Sequence, residues 1–188
     1  RNPELPDEEK KAAAHEIAVA ALRYFLLKFT RNSVIAFDFQ EALSFEGETG
    51  PYCQYAAVRI NSIFRKLGDD LVQRAEQRLE AAASDSSIED RISAALSGEG
   101  GTEIWSLVML AERLSEVIQQ CKVSAEPANL AKYTFTLAKA FSGFYQRFRI
   151  LQEEDDVRQA VLITTTKIVR RQLNAALGIL GIRVPNQM

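Results

Sequence analysis

The sequence PYCQYAAVRINSIFRKL, residues 51–67, carries apolar residues at the spacing of a single helix face. The members of this stripe are Ala56, Ile60, Ile63 and Leu67. Steps of three and four residues bring side chains to the same side of an α-helix. Pro51 suits the first turn, where its missing N–H would have no helical partner. The stretch therefore predicts a helix with one face in a core and a polar, basic face opposite it.

Two further stripes predict long helices in the second half of the chain. The first consists of Ile104, Leu107, Ala111, Leu114, Ile118 and Cys121, and Thr102 is its candidate N-cap. The second follows Pro127 and consists of Leu130, Tyr133, Leu137, Phe141, Phe144 and Phe148. A third helix is predicted from the acidic run at 153–156, which suits the positive end of a helix, to a stop at Gly181.

The first half of the chain also favours helices. Residues 7–28 have high helix propensity, and a further helix is predicted after Gly68. Capping-box spacing marks two short helices, one at Asp38 with Glu41 and one at Ser86 with Glu89. SVIAFDF, residues 33–39, is the only good strand candidate and is too isolated to support a sheet. The predicted fold class is all-α, a bundle of about six to eight helices.

Composition is that of a folded soluble protein of one domain, or a domain with an appendage. The chain has 188 residues, of which 47% are hydrophobic and 26% are charged. No apolar run reaches the about 20 residues that cross a bilayer, so we expect no membrane partner. The charged start lacks the apolar segment of a signal peptide and is typical of a position inside a longer protein. Cys53 and Cys121 are expected to be buried thiols in a reducing compartment, which predicts a cytoplasmic protein.

The charge is distributed unevenly along the chain. Residues 132–188 contain nine basic and four acidic residues, although the whole chain has a net charge of -2. Such a section permits binding to a polyanion, while a solvated basic face is the commoner cause. His15 is the only histidine, and adjacent carboxylates such as Asp69 and Asp70 diverge around a helix. We therefore expect no catalytic residues and no metal site in the chain.

Three segments occur in an order that is informative in itself. Residues 20–66 contain an LRY helix, an FD helix start and the stretch PYCQYAAVRINSIFRK. FSGFYQRFRIL follows at residues 141–151, and LGILGIRVPNQM ends the chain at residues 177–188. This order and spacing resemble the region that follows the catalytic domain in arginyl-tRNA synthetases, and the likeness spans almost the whole chain.

The resemblance implies a function and a missing part. The family are class I synthetases that join arginine to its tRNA using ATP with magnesium, and their C-terminal helical region, named for an Asp-Ala-Leu-Arg signature, binds the anticodon arm. Residues 19–23 read VAALR, with alanine at the position of the aspartate. HIGH-like and KMSK-like nucleotide motifs have no counterpart. The chain is thus expected to be a fragment that binds the tRNA for arginine and is inactive alone, without arginine-dependent pyrophosphate exchange.

The same resemblance predicts two segments in the chain and the partners that it binds. Residues 1–45 would be a mostly helical segment connecting to the catalytic domain, and residues 46–188 would be the helical anticodon-binding domain. The expected partners are the tRNA for arginine and the missing N-terminal catalytic domain, with no DNA. No cofactor is expected in this chain, and ATP with magnesium would belong to the missing domain.

Candidate tRNA contacts combine aromatic rings, which stack on unpaired bases, with side chains that bind phosphate or base edges. On the stretch at 51–67 they are Tyr52, Tyr55, Arg59, Arg65 and Lys66. Those after it are Tyr145, Arg147, Arg149, Arg170, Arg171 and Asn174, and the resemblance adds Asn186, Gln187 and Met188 at the chain end. Tyr52 and Tyr55 fit a core role as well, and a solvated helix face explains 170–174 equally well. Trp105 is expected in the core or at a domain junction.

The residues also leave open a function of a different class, namely protein interaction. The basic and aromatic face would also suit a helical protein-interaction module, or one that docks against another domain of its own protein, without RNA specificity.

Overall fold

The computed structural model describes residues 6–188. Its α-helices are α1 (Asp7–Leu27), α2 (Phe39–Ala42), α3 (Gly50–Ala81), α4 (Ser86–Ser97), α5 (Gly101–Glu112), α6 (Leu114–Ser124), α7 (Ala128–Arg147) and α8 (Asp156–Ile179), with a 3-10 turn at Ile150–Gln152. No strand occurs between residues 6 and 188, and residues 33–38 have no regular structure. The all-α prediction is confirmed. None of the helices in this described part is both long and apolar enough to cross a membrane.

Helix α3 lies at the centre of the bundle. It packs against α1 and α7 and most extensively against α8, and α8 in turn packs on α4, α5 and α7. All four residues of the predicted stripe on α3 are buried, from Ile60 at 0% exposed to Leu67 at 8%. The predicted aromatic stripe on α7, including Phe141, Phe144 and Phe148, lies in the same core. Ala20 and Tyr24 bring α1 into this core as well.

Two buried tyrosine hydroxyls connect helices to the backbone of α5 and α7. Tyr24 of α1 donates a hydrogen bond to the carbonyl of Ala131 at 2.8 Å, and Tyr133 of α7 donates to the carbonyl of Ala111 at 2.8 Å. Burial raises the pKa of Tyr133 to about 12 and raises that of Tyr24 further, so both remain neutral donors. These bonds satisfy polar groups that would otherwise be costly inside an apolar core.

Helix α3 is interrupted at Gly68. This residue has φ 72° and ψ 160°, a left-handed conformation that glycine adopts without the strain of a β-carbon. The break separates the helical stretch ending at Leu67 from the one beginning at Asp69. It agrees with the prediction of a further helix after Gly68.

The stripe from Ile104 to Cys121 does not form one helix, which corrects the sequence prediction. The helix ends at Glu112 and restarts at Leu114, so that Val117 rather than Ile118 is buried. Thr102 is not the N-cap either. The helix begins at Gly101 after Gly100, which has φ 85° and lies directly under the Phe148 ring, where no side chain would fit.

Trp105 was expected in the core or at a junction, and the core alternative is wrong. Its side chain is 50% exposed, and Met109, one turn further along α5, is 61% exposed. The reason is rotational position: Ile104 and Leu107 occupy the buried face of α5, and Trp105 lies outside it.

Carboxylates cap three helices. Asp38 accepts hydrogen bonds from the backbone N–H groups of Gln40 and Glu41 at 2.8 and 3.1 Å, as predicted. Asp85, not Ser86, caps α4, so this helix begins one residue before the predicted position. Asp155 caps α8 and accepts from the N–H of Arg158 at 2.7 Å. Each cap satisfies an N–H group that has no partner within its helix.

The two cysteines occupy different environments, and both are free thiols. Cys53 is fully buried in α3, as expected, whereas Cys121 is only half-buried, so the expectation of a buried thiol is wrong there. Burial raises the pKa of Cys53, and the nearby carboxylate of Glu48 adds to this effect. Thiolate, the reactive form, is therefore disfavoured at Cys53.

We expect a thiol reagent to modify Cys121 of the folded chain readily and Cys53 only on unfolding. Mass spectrometry of peptides after brief alkylation at neutral pH, with and without urea, measures this. Cys121→Ser should leave the native chain unreactive on the same timescale. Equal labelling of both cysteines under native conditions would contradict the burial of Cys53.

We expect acid to weaken the attachment of α4 to the start of α8. Arg91 of α4 donates to Asp155 at 3.0 Å and to Asp156 at 2.6 Å. The pKa of Asp155 is lowered mainly by the N–H of Arg158 and then by Arg91, and that of Asp156 mainly by Arg91. Because both pKa values are lower in the folded state, the resulting stability is present above the unfolded value of about 3.9 and is lost as pH falls through the folded values.

The measurement is the urea midpoint of unfolding of the parent chain and of Arg91→Gln. It is made at neutral pH and at a pH well below the pKa of a free aspartate. The variant should be less stable at neutral pH and equal to the parent in acid. Arg74→Gln is the matched control, because Arg74 donates to the carbonyl of Asp70 and not to a carboxylate. A deficit of Arg91→Gln that is the same at both pH values would rule out this linkage.

Candidate nucleic-acid interface

Arg59 lies between two tyrosine rings that come from different helices. Its guanidinium carbon is 4.6 Å from the centre of the Tyr55 ring and 5.9 Å from that of Tyr145. Its Nη2 also donates a hydrogen bond to the Tyr55 hydroxyl at 2.9 Å. Among residues 6–188 no carboxylate pairs with Arg59. The positive charge thus stays available, while the rings restrict where the guanidinium lies.

The ring of Tyr145 continues this surface towards Arg149. Both residues line a shallow cleft of about 260 Å³ beside the 3-10 turn, together with Gln146, Ile150, Leu151 and Gln152. Tyr145 is half-buried and stacks on the core residue Phe141 at 6.1 Å between ring centres, whereas Arg149 is exposed. We call Tyr55, Arg59, Tyr145 and Arg149 the aromatic-basic cluster. An unpaired base has flat partners and positive charge in this cluster.

Tyr52 lies on the core side of this cluster. Its ring is half-buried in the contact of α3 with α7, 5.3 Å from the ring of Phe135. This packing agrees with the core alternative for Tyr52. Tyr55 is also half-buried, but its hydroxyl accepts a hydrogen bond from Arg59 and its ring is not among those packed on the core.

A second group of candidates lies along the end of the chain. Arg65 donates to the carbonyl of Asn186 at 3.3 Å, so α3 holds the backbone here. Asn186 and Gln187 line a cleft of about 360 Å³ between the chain end and α1, whose Glu9 and Glu16 lie on its other side. Met188 is half-buried at the terminus.

Other candidates are occupied by partners within the chain. Arg147 pairs with Glu103 and, at 3.7 Å, with Glu99, and Arg171 lies 3.7 Å from Glu112. Two further cations of the C-terminal section, Arg158 and Lys167, also pair with acids. The excess of positive charge in residues 132–188 is therefore partly neutralised by acids, several of them from earlier helices.

Arg170 belongs to neither group. Its Nε donates to the Asn61 side chain at 2.9 Å, and its guanidinium lies 4.8 Å from the centre of the Phe64 ring. Lys66 is exposed and Asn174 is half-buried on α8. Of the fourteen sequence candidates, four form the aromatic-basic cluster and four lie at the chain end, namely Arg65, Asn186, Gln187 and Met188. Arg147, Arg170 and Arg171 are held by internal partners, and Tyr52, Lys66 and Asn174 belong to none of these groups.

The described residues hold no group of three or more side chains suited to bind a metal ion. The polar groups at the interface are cations, amides and phenols, which can donate hydrogen bonds to a bound partner.

Comparison with known proteins assigns the family. The DALR anticodon binding domain family matches residues 53–188 of this chain, which is more than half of it. The chain belongs to this family. The matched region begins in α3 and includes every candidate contact except Tyr52.

Relatives of this chain are longer proteins. It is 35% identical over 190 residues to an arginine–tRNA ligase of Streptococcus suis and 32% identical over 188 residues to one of Pyrococcus furiosus. All of this chain is covered in both alignments, but only 29% and 28% of the relatives. The chain therefore spans less than a third of the length of these relatives.

Solved structures agree with this assignment. The arginyl-tRNA synthetase of Thermus thermophilus matches with a TM-score of 0.71 and 28% identity, covering 100% of this chain and 29% of that chain. The arginyl-tRNA synthetase of Plasmodium falciparum matches with a TM-score of 0.68 at 21% identity, covering 93% of this chain and 28% of that one, and shows the fold alone.

Sequence reasoning missed one polar residue of this DALR domain. Gln54 is 0% exposed, although its neighbours on the predicted helix were assigned either to the core or to the surface. Its side-chain nitrogen donates to the carbonyl of Arg183 at 2.7 Å and to that of Glu16 at 3.2 Å. A glutamine among the apolar residues of this helix could have indicated a buried polar contact. Its partners could not be predicted, because they are remote in sequence.

Proposed function

We propose that this chain binds the anticodon arm of the tRNA for arginine. The observation that carries the proposal is the position of Arg59 between Tyr55 and Tyr145, in a chain of the DALR anticodon binding domain family. An anticodon loop offers unpaired bases, which stack on aromatic rings and guanidinium planes. Each such stacking contact is worth about 1–3 kcal/mol in single-stranded RNA complexes.

The charges at the cluster support the same function. Arg59 and Arg149 have no ion-pair partner among residues 6–188, whereas Arg147 and Arg171 have theirs. Phosphate binding by a free cation releases counterions without breaking an internal pair. Phosphate can therefore approach Arg59 and Arg149 without displacing a carboxylate of the described chain. In this proposal the cluster binds a base, and Arg65 and Lys66 bind phosphates beside it.

We propose further that the chain works as part of a longer arginine–tRNA ligase, which attaches arginine to its tRNA in the cytoplasm. The support is the identity of 35% to a ligase of which the chain covers 29%. ATP with magnesium would be bound by the other part of that protein.

A helical docking role is the second candidate, and an exposed apolar surface near α1 and α2 favours it. The side chains of this surface are Leu22, Leu26, Val34, Phe39, Leu43 and Phe45, and Phe39 is 72% exposed. Exposed apolar side chains grouped along one segment are typical of contact surfaces. None of these side chains belongs to the aromatic-basic cluster, so packing against the rest of a longer ligase through them is compatible with tRNA binding.

The first experiment is a fluorescence titration of the chain with the tRNA for arginine, with anticodon variants of it and with another tRNA. We expect preference for the arginine tRNA, loss of that preference when anticodon bases are changed, and weaker binding at higher salt. Equal affinity for all of these RNAs at low salt would overturn the proposal.

Arg59→Gln should weaken this binding by about tenfold, because a stacked, charged contact of about 1.4 kcal/mol is lost. Arg113→Gln is the matched control: it removes the same charge from the junction of α5 and α6, where Arg113 pairs with Glu116. We expect the control to bind as the parent does. Equal losses in both variants would indicate only a general effect of charge and exclude the aromatic-basic cluster as the site.

Removal of residues 183–188 should separate the two candidates. We expect tRNA binding to be clearly weaker but still measurable, because the aromatic-basic cluster remains, and helicity by circular dichroism to be unchanged, since α8 ends before this segment. Intact tRNA binding together with loss of a contact to the remaining part of the ligase would favour the docking role instead.

A further inference from the structure

The amide group of Gln54 joins three parts of the fold. Gln54 lies on α3, its acceptor Glu16 lies on α1, and its acceptor Arg183 lies on the segment after α8. A carboxamide nitrogen carries two hydrogens, so both bonds can exist at once. The orientation of the amide follows from its acceptors, because the opposite orientation would place its oxygen against two carbonyl oxygens.

The two acceptors differ in how firmly they are fixed. The Glu16 carbonyl is part of α1 and is held by that helix. The Arg183 carbonyl belongs to the segment beyond the end of α8, where no helical hydrogen bond holds it. Of the two partners, the chain end is therefore the one whose backbone Gln54 helps to fix, together with the packing of Val184 and the burial of Pro185. We call residues 183–188 the C-terminal tail.

The tail enters this position through a defined turn. Gly181, with φ 70°, ends α8, and the N–H of Ile182 bonds to the carbonyl of Leu177 at 2.8 Å. The Arg23 guanidinium lies so close to Gly181 that a β-carbon there would overlap it. Beyond this turn, Gln54 and Arg65 of α3 hold the backbone at Arg183 and Asn186. The tail is thus attached to one helix at two carbonyls.

The same amide is poorly suited to a purely stabilising role. The Gln54 oxygen is buried without a hydrogen-bond partner among the described residues. An unsatisfied buried acceptor is unfavourable, and an apolar residue of the same length would avoid it. What such a residue would lose is the pair of donors.

We propose that Gln54 is a positioning residue that holds the tail where it meets the tRNA. This inference rests on the proposed function. With the tail held by Gln54, the side chains of Asn186, Gln187 and Met188 are presented in one arrangement before RNA binds. Less conformational freedom is then lost on binding, which strengthens it. Gln54 itself is buried and touches no RNA.

The first test needs no RNA. Gln54→Met keeps the length of the side chain and removes the donors, so the tail should open more often while the core remains packed. We expect carboxypeptidase to release Met188 and Gln187 about tenfold faster from this variant than from the parent, as for a segment that opens more often. Gln120→Met is the matched control, because Gln120 donates only to Glu116 on the exposed face of α6.

The second test is a double-mutant cycle on affinity for the arginine tRNA. Gln54→Met should weaken binding by about fivefold in the full chain, the usual size of one lost hydrogen bond. It should have no effect in a chain that ends at residue 182, because a positioning residue acts only through what it positions. A general loosening of the bundle would instead weaken both backgrounds equally.

The outcomes separate the inference from the function on which it rests. Unchanged release of Met188, unchanged affinity of the full chain, or an equal effect in the shortened chain each overturns the role of Gln54. Absence of tRNA preference in the parent chain overturns the proposed function, and the carboxypeptidase result then still decides whether Gln54 holds the tail. If circular dichroism shows that Gln54→Met does not fold, Gln54→Asn, which is too short to reach Arg183, replaces it in both tests.

Discussion

Burial of α3 beneath α8 is the contact on which the rest of this fold depends. The apolar face of α3, with Ile60 and Ile63 at its centre, is covered by α8, α7 and α1. Truncating one such buried side chain typically costs about 2–5 kcal/mol, whereas an exposed ion pair contributes about 0–1 kcal/mol. The surface ion pairs that join α4 or α5 to their neighbours therefore contribute little to the stability of the bundle, and most of it comes from the core around α3.

The same central helix carries the surface proposed to meet RNA. Since one face of α3 is fixed by the core, its two edges have fixed surroundings as well. One edge presents Tyr55 and Arg59 to α7, where Tyr145 completes the aromatic-basic cluster. Another part of the helix holds the backbone of the chain end through Gln54 and Arg65. Rigid support of this kind limits the freedom that recognition residues lose on binding.

Local patterns predicted much of this fold correctly. The stripes at 56–67 and 130–148 are buried, and Asp38 caps its helix, because these features depend on residues within one or two turns. The same reasoning failed where packing intervened. Periodicity predicted one helix through Arg113, where the structure has two, α5 and α6. It also placed the N-cap at Thr102, whereas α5 begins at Gly101, after Gly100 against which the Phe148 ring packs.

The sequence by itself determined the all-α class, the main helices, the basic C-terminal section and, through the order of its motifs, the likeness to arginyl-tRNA synthetases. Only the tertiary structure decided which cations remain unpaired: Arg147 and Arg171 pair with acids of α5 and its preceding loop, while Arg59 lies between two rings. It alone revealed that Gln54 bonds to Arg183, 129 residues away. Helical periodicity is a local property, whereas the partner of a side chain depends on which distant helix lies against it.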